Sequence, residues 1–416
     1  MQQATTILMI GTVDTKADEL RFMRRCIEQG GGRVLLMNVG VLGHAGAACE
    51  IAHTEVAAAA GRSIEAIQTL GDENAAMTLM AAGAVRIALK LQREGAIQGV
   101  LALGGTMGTD LALDVTAALP LGFPKFVIST VAYSHLIPPE RLAPDLMMIL
   151  WAGGLYGLNS ICQSILSQAA GAVLGACQAV AAAPVTVRPM VAISSLGKSA
   201  LSYMVTLKPA LEARGYEVVV FHCTGMGGRA LEALTAKRSF VAVLDLCLQE
   251  LGNEVHGSVV SSGTDRLEAA GRLGIPQIVA PGAMDMIDLQ TWKPLPRTYE
   301  GRPYHAHNRL IASVLMSPEE RCMAARALAA KLAKAKGPTA LILPLQGIEA
   351  WDRPGEPLHD GLGLAAFMKE LREQVRPPAE VLAIDAHIND PQFCDTVLAV
   401  FDAWVTQGWI ATGKAA

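Results

Sequence analysis

Aromatic side chains are scarce in this 416-residue chain, at 5%, and charge is thin, at 17% with a formal net of −4. Recognition of nucleic acid wants a basic face and stacking rings, and neither is on offer. Charge runs and low-complexity tracts are missing, and with half of the residues hydrophobic the composition is that of a packed globular protein, not a disordered one. No C-x-x-C pair occurs. The cysteines at 26, 49, 162, 177, 223, 247, 322 and 394 are scattered, and read as reduced, mostly buried thiols of a cytoplasmic protein. MQQATTILMIGTVDTK has no basic segment ahead of its apolar run, so no signal peptide is expected. A membrane span needs about 20 mostly apolar residues; the most apolar stretch, near 146–183, is broken by Asn159, Gln163, Gln168 and Gln178 and reads as a buried helix. Neither a membrane nor a nucleic acid is expected as a partner.

What the chain does have is alternation. Apolar runs at 5–13, 33–40, 99–103, 125–130 and 145–150 read as strands, with helical patterns between them and a long helix at 159–181. AAAPVTVRP (181–189) looks like a connector, because the pattern then restarts with MVAISSLG, YEVVVFHC, FVAVLDLC (240–247), PQIVAPG (276–282), TALILPL (339–345) and EVLAIDAH (380–387). Strands alternating with helices at this spacing mean parallel sheets covered on both faces. The fold class is therefore α/β, with two doubly wound Rossmann-like parallel-sheet domains, 1–184 and 185–416. TMGTDLAL and GMGGRALE could be related halves of a duplication.

The stretch 98–120, QGVLALGGTMGTDLALDVTAALP, runs from strand through a glycine loop into a helix. Backbone N–H groups at a helix N-terminus offer an anion a ready site. In doubly wound sheets ligands sit beyond the strands' carboxyl ends, where neighbouring connections leave to opposite faces. In the flavodoxin-like order that crevice lies between the first and third strands. It would set Gly11, Thr12, Asp14, Thr15 and Lys16 opposite Gly104, Gly105, Thr106, Gly108 and Thr109. Such a pair of loops suits a nucleotide phosphate, with Mg²⁺ held through Asp14; helix capping is the plainer role for Asp14 and Thr15. Trp151, before a Gly-Gly pair, could cover an adenine.

A second constellation lies in the C-terminal half. His222, Asp285, Asp288, His305, His307, Asp385, His387 and Asp390 all fall at or just beyond strand ends or in loops there. Such a set could act as general acid and base on a small molecule, or hold a divalent metal, although no known metal spacing is present. Of these, His387, His307, His305, Asp288 and Asp385 are the candidate catalytic residues, with His387 first for substrate contact. Asp390, before Pro391, also fits a helix cap, and His359-Asp360 the start of a helix.

GTVDTKADELRF, LGGTMGTDLA, WAGGLYGLNS, PGAMDM, His307-Asn308 and DAHINDPQF together resemble the UPF0261 family, the Tm-1-like ATP-binding proteins, in order and over essentially the whole chain. The resemblance implies two Rossmann-like subdomains, self-association as a homodimer or higher homo-oligomer, and ATP bound by the N-terminal portion. It carries the nucleotide role to the two glycine loops named above and adds Gly153, Gly154 and Asn159. Arg309 and Gly347-Ile348-Glu349 depart from the family pattern, where a proline and a G-x-S segment stand. One functional expectation is an ATP-binding metabolic protein that hydrolyses the nucleotide or activates a small organic acid. The alternatives are a non-catalytic nucleotide-sensing or assembly module, and a keto-acid- or ester-cleaving enzyme whose glycine loops hold a substrate carboxylate. Convergence of His387, His307 and Asp288 on one pocket would favour an enzyme; their dispersal would favour the sensor.

Overall fold

The computed structural model describes residues 5–43, 48–181, 188–198, 200–356 and 358–414. The connector expected at 181–189, the GHAG loop and the helix start expected near Ser199 fall mostly outside the described residues. The chain divides into two compact units, Met1–Val185 and Thr186–Ala416.

The N-terminal unit runs β1 (Thr6–Gly11), α1 (Val13–Gln29), β2 (Arg33–Asn38), α2 (His53–Ala59), α3 (Ile64–Gln68), α4 (Glu73–Arg93), β3 (Gly99–Gly104), α5 (Thr106–Ala118), β4 (Lys125–Ser129), β5 (Met147–Leu150) and α6 (Ser160–Ala181). Its five strands lie parallel in the order β2-β1-β3-β4-β5, the flavodoxin-like arrangement. Successive residues of β1 feed opposite faces. Leu8 and Ile10 pack with Val56, Met80 and Leu111 from α2, α4 and α5. Ile7 and Met9 pack with Leu20 and Met23 of α1 and Leu166 and Val173 of α6. That is why β1 and β3 read as unbroken apolar runs. By length and composition, 73–93 and 160–180 could each cross a membrane; here each buries one face against this sheet.

The C-terminal unit runs β6 (Met190–Ser195), α7 (Met204–Ala213), β7 (Glu217–His222), α8 (Met226–Ala236), β8 (Ala242–Cys247), α9 (Gln249–Val255), α10 (Ala269–Leu273), β9 (Gln277–Gly282), β10 (Met286–Gln290), β11 (Tyr304–Ala306), β12 (Ile311–Leu315), α11 (Pro318–Leu332), β13 (Thr339–Pro344), α12 (Gly361–Gln374), β14 (Ala379–Ile384) and α13 (Pro391–Thr406). Six of its strands form a parallel sheet, β14-β13-β9-β8-β6-β7. One face is covered by α7 and α13 through Leu207, Leu211, Phe393, Val397 and Phe401. The other is covered by α9, α11 and α12 through Leu251, Leu328 and Phe367, with Leu231 of α8 and Ala270 of α10 extending it. Two doubly wound α/β units are thus what the chain builds.

A small antiparallel sheet, β10-β12-β11, was not legible in the alternation. Its strands are only three to five residues long, below the length at which period-two patterning becomes readable. The sheet matters because it carries Asp288, His305 and Ser313. The glycine loops that open TMGTDLAL and GMGGRALE, moreover, follow β3 of the first sheet and β7, the second strand in chain order, of the other. They occupy non-equivalent places, which removes the support they lent to a duplication.

Candidate functional site

In the N-terminal unit β1 has β2 on one side and β3 on the other, so its connection and that of β3 leave in opposite directions. A cavity of about 330 Å³ opens there, lined from after β1 by Thr12, Asp14, Thr15 and Lys16 and from after β3 by Gly104, Gly105, Thr106 and Gly108. Helix α5 begins at this cavity with Gly105 as its N-cap and no side chain capping it, leaving the amides of its first turn for a ligand. Gly104 and Gly108 are glycines for close approach: a Cβ on Gly104 would collide with the Gly108 backbone. A Cβ on Gly105 would meet nothing nearer than Thr130 Oγ1 at 3.8 Å.

Asp14 does not cap its helix. One carboxylate oxygen accepts from the Leu42 amide at 3.0 Å, while the other is buried and has no hydrogen-bond partner. Gly40 makes room for this posture, because a Cβ there would stand 2.6–2.7 Å from the Asp14 carboxylate. Thr12 and Thr15 bond each other through their hydroxyls at 2.7 Å. The Lys16 ammonium donates to the Leu155 carbonyl at 2.5 Å and lies 5.6 Å from the centre of the Tyr156 ring. Val39, Val41, Leu42, Met77 and Met80 line the rest of the cavity, with Glu73 at its edge. The residues after β2 and on α4 were not anticipated. A glycine two residues beyond β2 and a methionine pair at i, i+3 were the signals available, and methionines read more simply as core.

Other expected members lie outside the lining. Gly11 ends β1 against Leu20. Thr109 is buried, its hydroxyl bonded to Ser129 at 2.7 Å. Asn159 accepts from the Cys162 amide at 2.9 Å, the bond of a helix cap. Trp151 donates to the Gly154 carbonyl at 2.7 Å, and Gly153 lies against its ring; neither glycine nor the indole reaches the cavity. Asp14 stands apart from other ligands, and no group of three or more potential metal-binding side chains occurs among the described residues.

The C-terminal unit has its own cavity, of about 420 Å³, lined by Leu196 after β6, His222 at the end of β7, Thr224 just beyond it and Gln249 after β8. Its other wall comes from the antiparallel sheet and nearby loops: Asp288, Ser313, His307, Asn308 and Trp351. Asp288 is buried and accepts from Ser313 Oγ at 2.6 Å, Asn253 Nδ2 at 2.8 Å and Gln249 Nε2. Burial nonetheless pushes its pKa up to about 6. His305 packs its ring on Trp351 with centroids 4.3 Å apart; His307 lies 6.1 Å from the same indole.

His387 is not part of this cavity. It is buried, its Nε2 donates to the Glu349 carbonyl at 2.9 Å, and its Nδ1 accepts from the Asn389 amide at 3.0 Å. Both nitrogens are spoken for by backbone, so the ring is a neutral fixture; burial, then the Arg353 charge, hold its pKa below the usual imidazole value. Asp385 is exposed and accepts from Gln346 Nε2 at 2.5 Å. Asp390 takes the N-cap position of α13 without capping it, and accepts instead from the His387 amide and Arg353. Asp360 does cap α12, accepting from Gly363 N at 2.9 Å. Of the five candidate catalytic side chains, Asp288 and His307 share the cavity, His305 braces its wall, and His387 and Asp385 stand elsewhere.

The glycine loop between β7 and α8 is already occupied. Gly225 N and Gly228 N both donate to Glu250 Oε1, at 2.6 and 3.0 Å. A Cβ on Gly228 would collide with that carboxylate. Glu250 also receives Arg266 Nε at 2.9 Å, and the Arg266 guanidinium is paired with both oxygens of Asp245 in a fully buried network.

The patterns described as the N-terminal and C-terminal domains of the uncharacterised protein family UPF0261 match residues 5–182 and 188–405. The chain belongs to the UPF0261 family. A UPF0261 protein of Brucella melitensis is 54% identical over 410 residues, covering 99% of this chain and 98% of that one. Another, of Clostridium tetani, is 35% identical over 388 residues, covering 93% and 96%. More distantly, the ToMV resistance protein Tm-1(GCR237) of Solanum lycopersicum is 27% identical over 416 residues, covering 95% of this chain and 55% of that protein. Each half of the UPF0261 pattern therefore coincides with a parallel-sheet unit that has a cavity at its switch point.

Proposed function

We propose that this UPF0261 protein binds ATP, with Mg²⁺, in the cavity of its N-terminal unit. The observation that carries the reading is the uncapped start of α5 opening into a cavity at the β1/β3 switch point. Free amides at Gly105 to Gly108 suit phosphate oxygens, and the apolar wall of Val39, Val41, Met77 and Met80 suits a purine. The unpartnered oxygen of Asp14 fits a magnesium ion carried mainly by the nucleotide's own phosphates, since Mg²⁺ commonly takes one or two carboxylates beside substrate phosphate. The ion would supply charge neutralisation there. Lys16, tied to the Leu155 carbonyl, is placed to steady the rim. Dispersal of His387 and Asp385 away from Asp288 and His307 favours nucleotide sensing over a catalytic set built on His387.

The test is thermal unfolding with ATP, ADP and Mg²⁺. At a hundredfold excess over Kd, binding to the native state alone adds about 2.7 kcal/mol, which raises the midpoint of a unit of this size by about 5–10 °C. Gly105→Val should abolish the shift, because the backbone has room for the side chain while its branches obstruct the first turn of α5. Absence of any nucleotide shift in protein shown to be folded would overturn the proposal.

A further inference from the structure

We infer that the cavity of the C-terminal unit is a second ligand site, and that its ligand is a small polyhydroxylated molecule of monosaccharide size. The cavity lies at the switch point of its sheet, where β6 has β7 on one side and β8 on the other, so the fold places it where α/β sheets bind small molecules. Its volume of about 420 Å³ admits a ligand of that size.

The lining fixes the chemistry. An anion would want the glycine-loop amides or a fixed cation. Two of those amides, Gly225 N and Gly228 N, are spent on Glu250, and no lysine or arginine lines the cavity among the described residues. What remains is a set of paired donors and acceptors: His222, Thr224, His307, Asn308, Gln249 and Asp288. Hydroxyl groups, each both donor and acceptor, are the natural complement of such a set. Gln249 is the sharpest pointer. It is 3% exposed, its Nε2 is committed to Asp288, and its Oε1 has no hydrogen-bond partner. A buried acceptor left unpaired costs about 1–3 kcal/mol, and a ligand hydroxyl would satisfy it. Trp351, braced by the His305 ring at 4.3 Å, adds a flat apolar wall against which the C–H face of a sugar ring can lie. The tripod of Ser313, Asn253 and Gln249 on Asp288 keeps that wall's carboxyl in one orientation.

Saturation-transfer NMR on the full chain tests this, with D-ribose, D-glucose and glycerol as hydroxylated probes and acetate and methyl phosphate as anionic ones. Transfer to at least one hydroxylated probe is expected, with affinity weakened at least tenfold in His307→Ala or Trp351→Leu and unchanged in Gly105→Val. His307 is exposed, so its variant keeps the test valid if loss of the Trp351 indole impairs folding. The inference is overturned by transfer to none of the three, by transfer confined to acetate or methyl phosphate, by transfer unaffected in both His307→Ala and Trp351→Leu, or by transfer lost in Gly105→Val. Nucleotide binding is read separately by the thermal shift, so either result stands without the other.

Discussion

At His387 the backbone decides the protonation state. One ring nitrogen must carry a proton to donate to the Glu349 carbonyl, and the other must lack one to accept from Asn389. A protonated ring would leave the second contact as a donor facing a donor. With the pKa lowered by burial, the unfolded chain takes up a proton more readily than the folded one as the pH falls. Stability from this residue is complete above the free imidazole range, about 6.5, and is lost below it. His387→Ala should leave the ATP-induced shift unchanged and cost about 1–3 kcal/mol through the unpaired Glu349 carbonyl and Asn389 amide, as urea unfolding at pH 7.5 would measure. A loss of nucleotide binding in that variant would mean that the ring reports on the N-terminal cavity after all.

Among the elements, the loop after β2 shows how much of a site can be hidden in sequence. The strand order, the glycine loop before α5 and the approach of GTVDTK to it were all legible, because apolar runs and glycine punctuation are local signals. The part played by Gly40 was not. Its need for no side chain arises from where Asp14, far off in sequence, puts its carboxylate, and no periodicity records that. The same limit hid Glu250, which fills the amides of the loop before α8. A glycine loop ahead of a helix looks the same whether a ligand or the protein's own carboxylate occupies it. His387 shows a related limit: a histidine at a strand end is equally suited to a pocket and to a backbone lock. The β2 loop yields a prediction of its own. Gly40→Ala pushes the Asp14 carboxylate off its seat, and since displacing the support of a metal ligand commonly costs ten- to a hundredfold in affinity, Mg²⁺-ATP binding should weaken by that factor. Titration calorimetry would check it, with ATP lacking Mg²⁺ losing much less. Equal losses with and without the metal would assign Asp14 to the nucleotide itself.

For the molecule as a whole, the buried acids of the C-terminal unit set an unusual slope of stability with pH. Asp285 is fully buried with neither carboxyl oxygen hydrogen-bonded, and desolvation pushes its pKa up to about 7. Glu349 is raised to about 9, first by burial and then by the nearby Asp285; Asp288 is raised to about 6. Arg321, buried beside them, pulls the other way on Asp285 and Glu349 without reversing either. From about pH 4, where free carboxyls titrate, up to these raised values, the folded chain holds protons that the unfolded chain releases. Unfolding free energy therefore falls as the pH rises, by up to about 1.4 kcal/mol per pH unit for each proton so held. Ion-paired surface carboxylates such as Glu50 and Glu320, whose pKa values are lowered, lean the opposite way, but they finish titrating at low pH. Between pH 6 and 9 the raised pair of Asp285 and Glu349 dominates. Urea midpoints measured at pH 6, 7.5 and 9 should decline in the parent protein, and the slope should flatten in Asp285→Asn combined with Glu349→Gln, which keep the shape and remove the titration. A parent protein whose midpoint stays level or rises across that range would mean that both acids are already ionised at pH 6, with Arg321 holding them so.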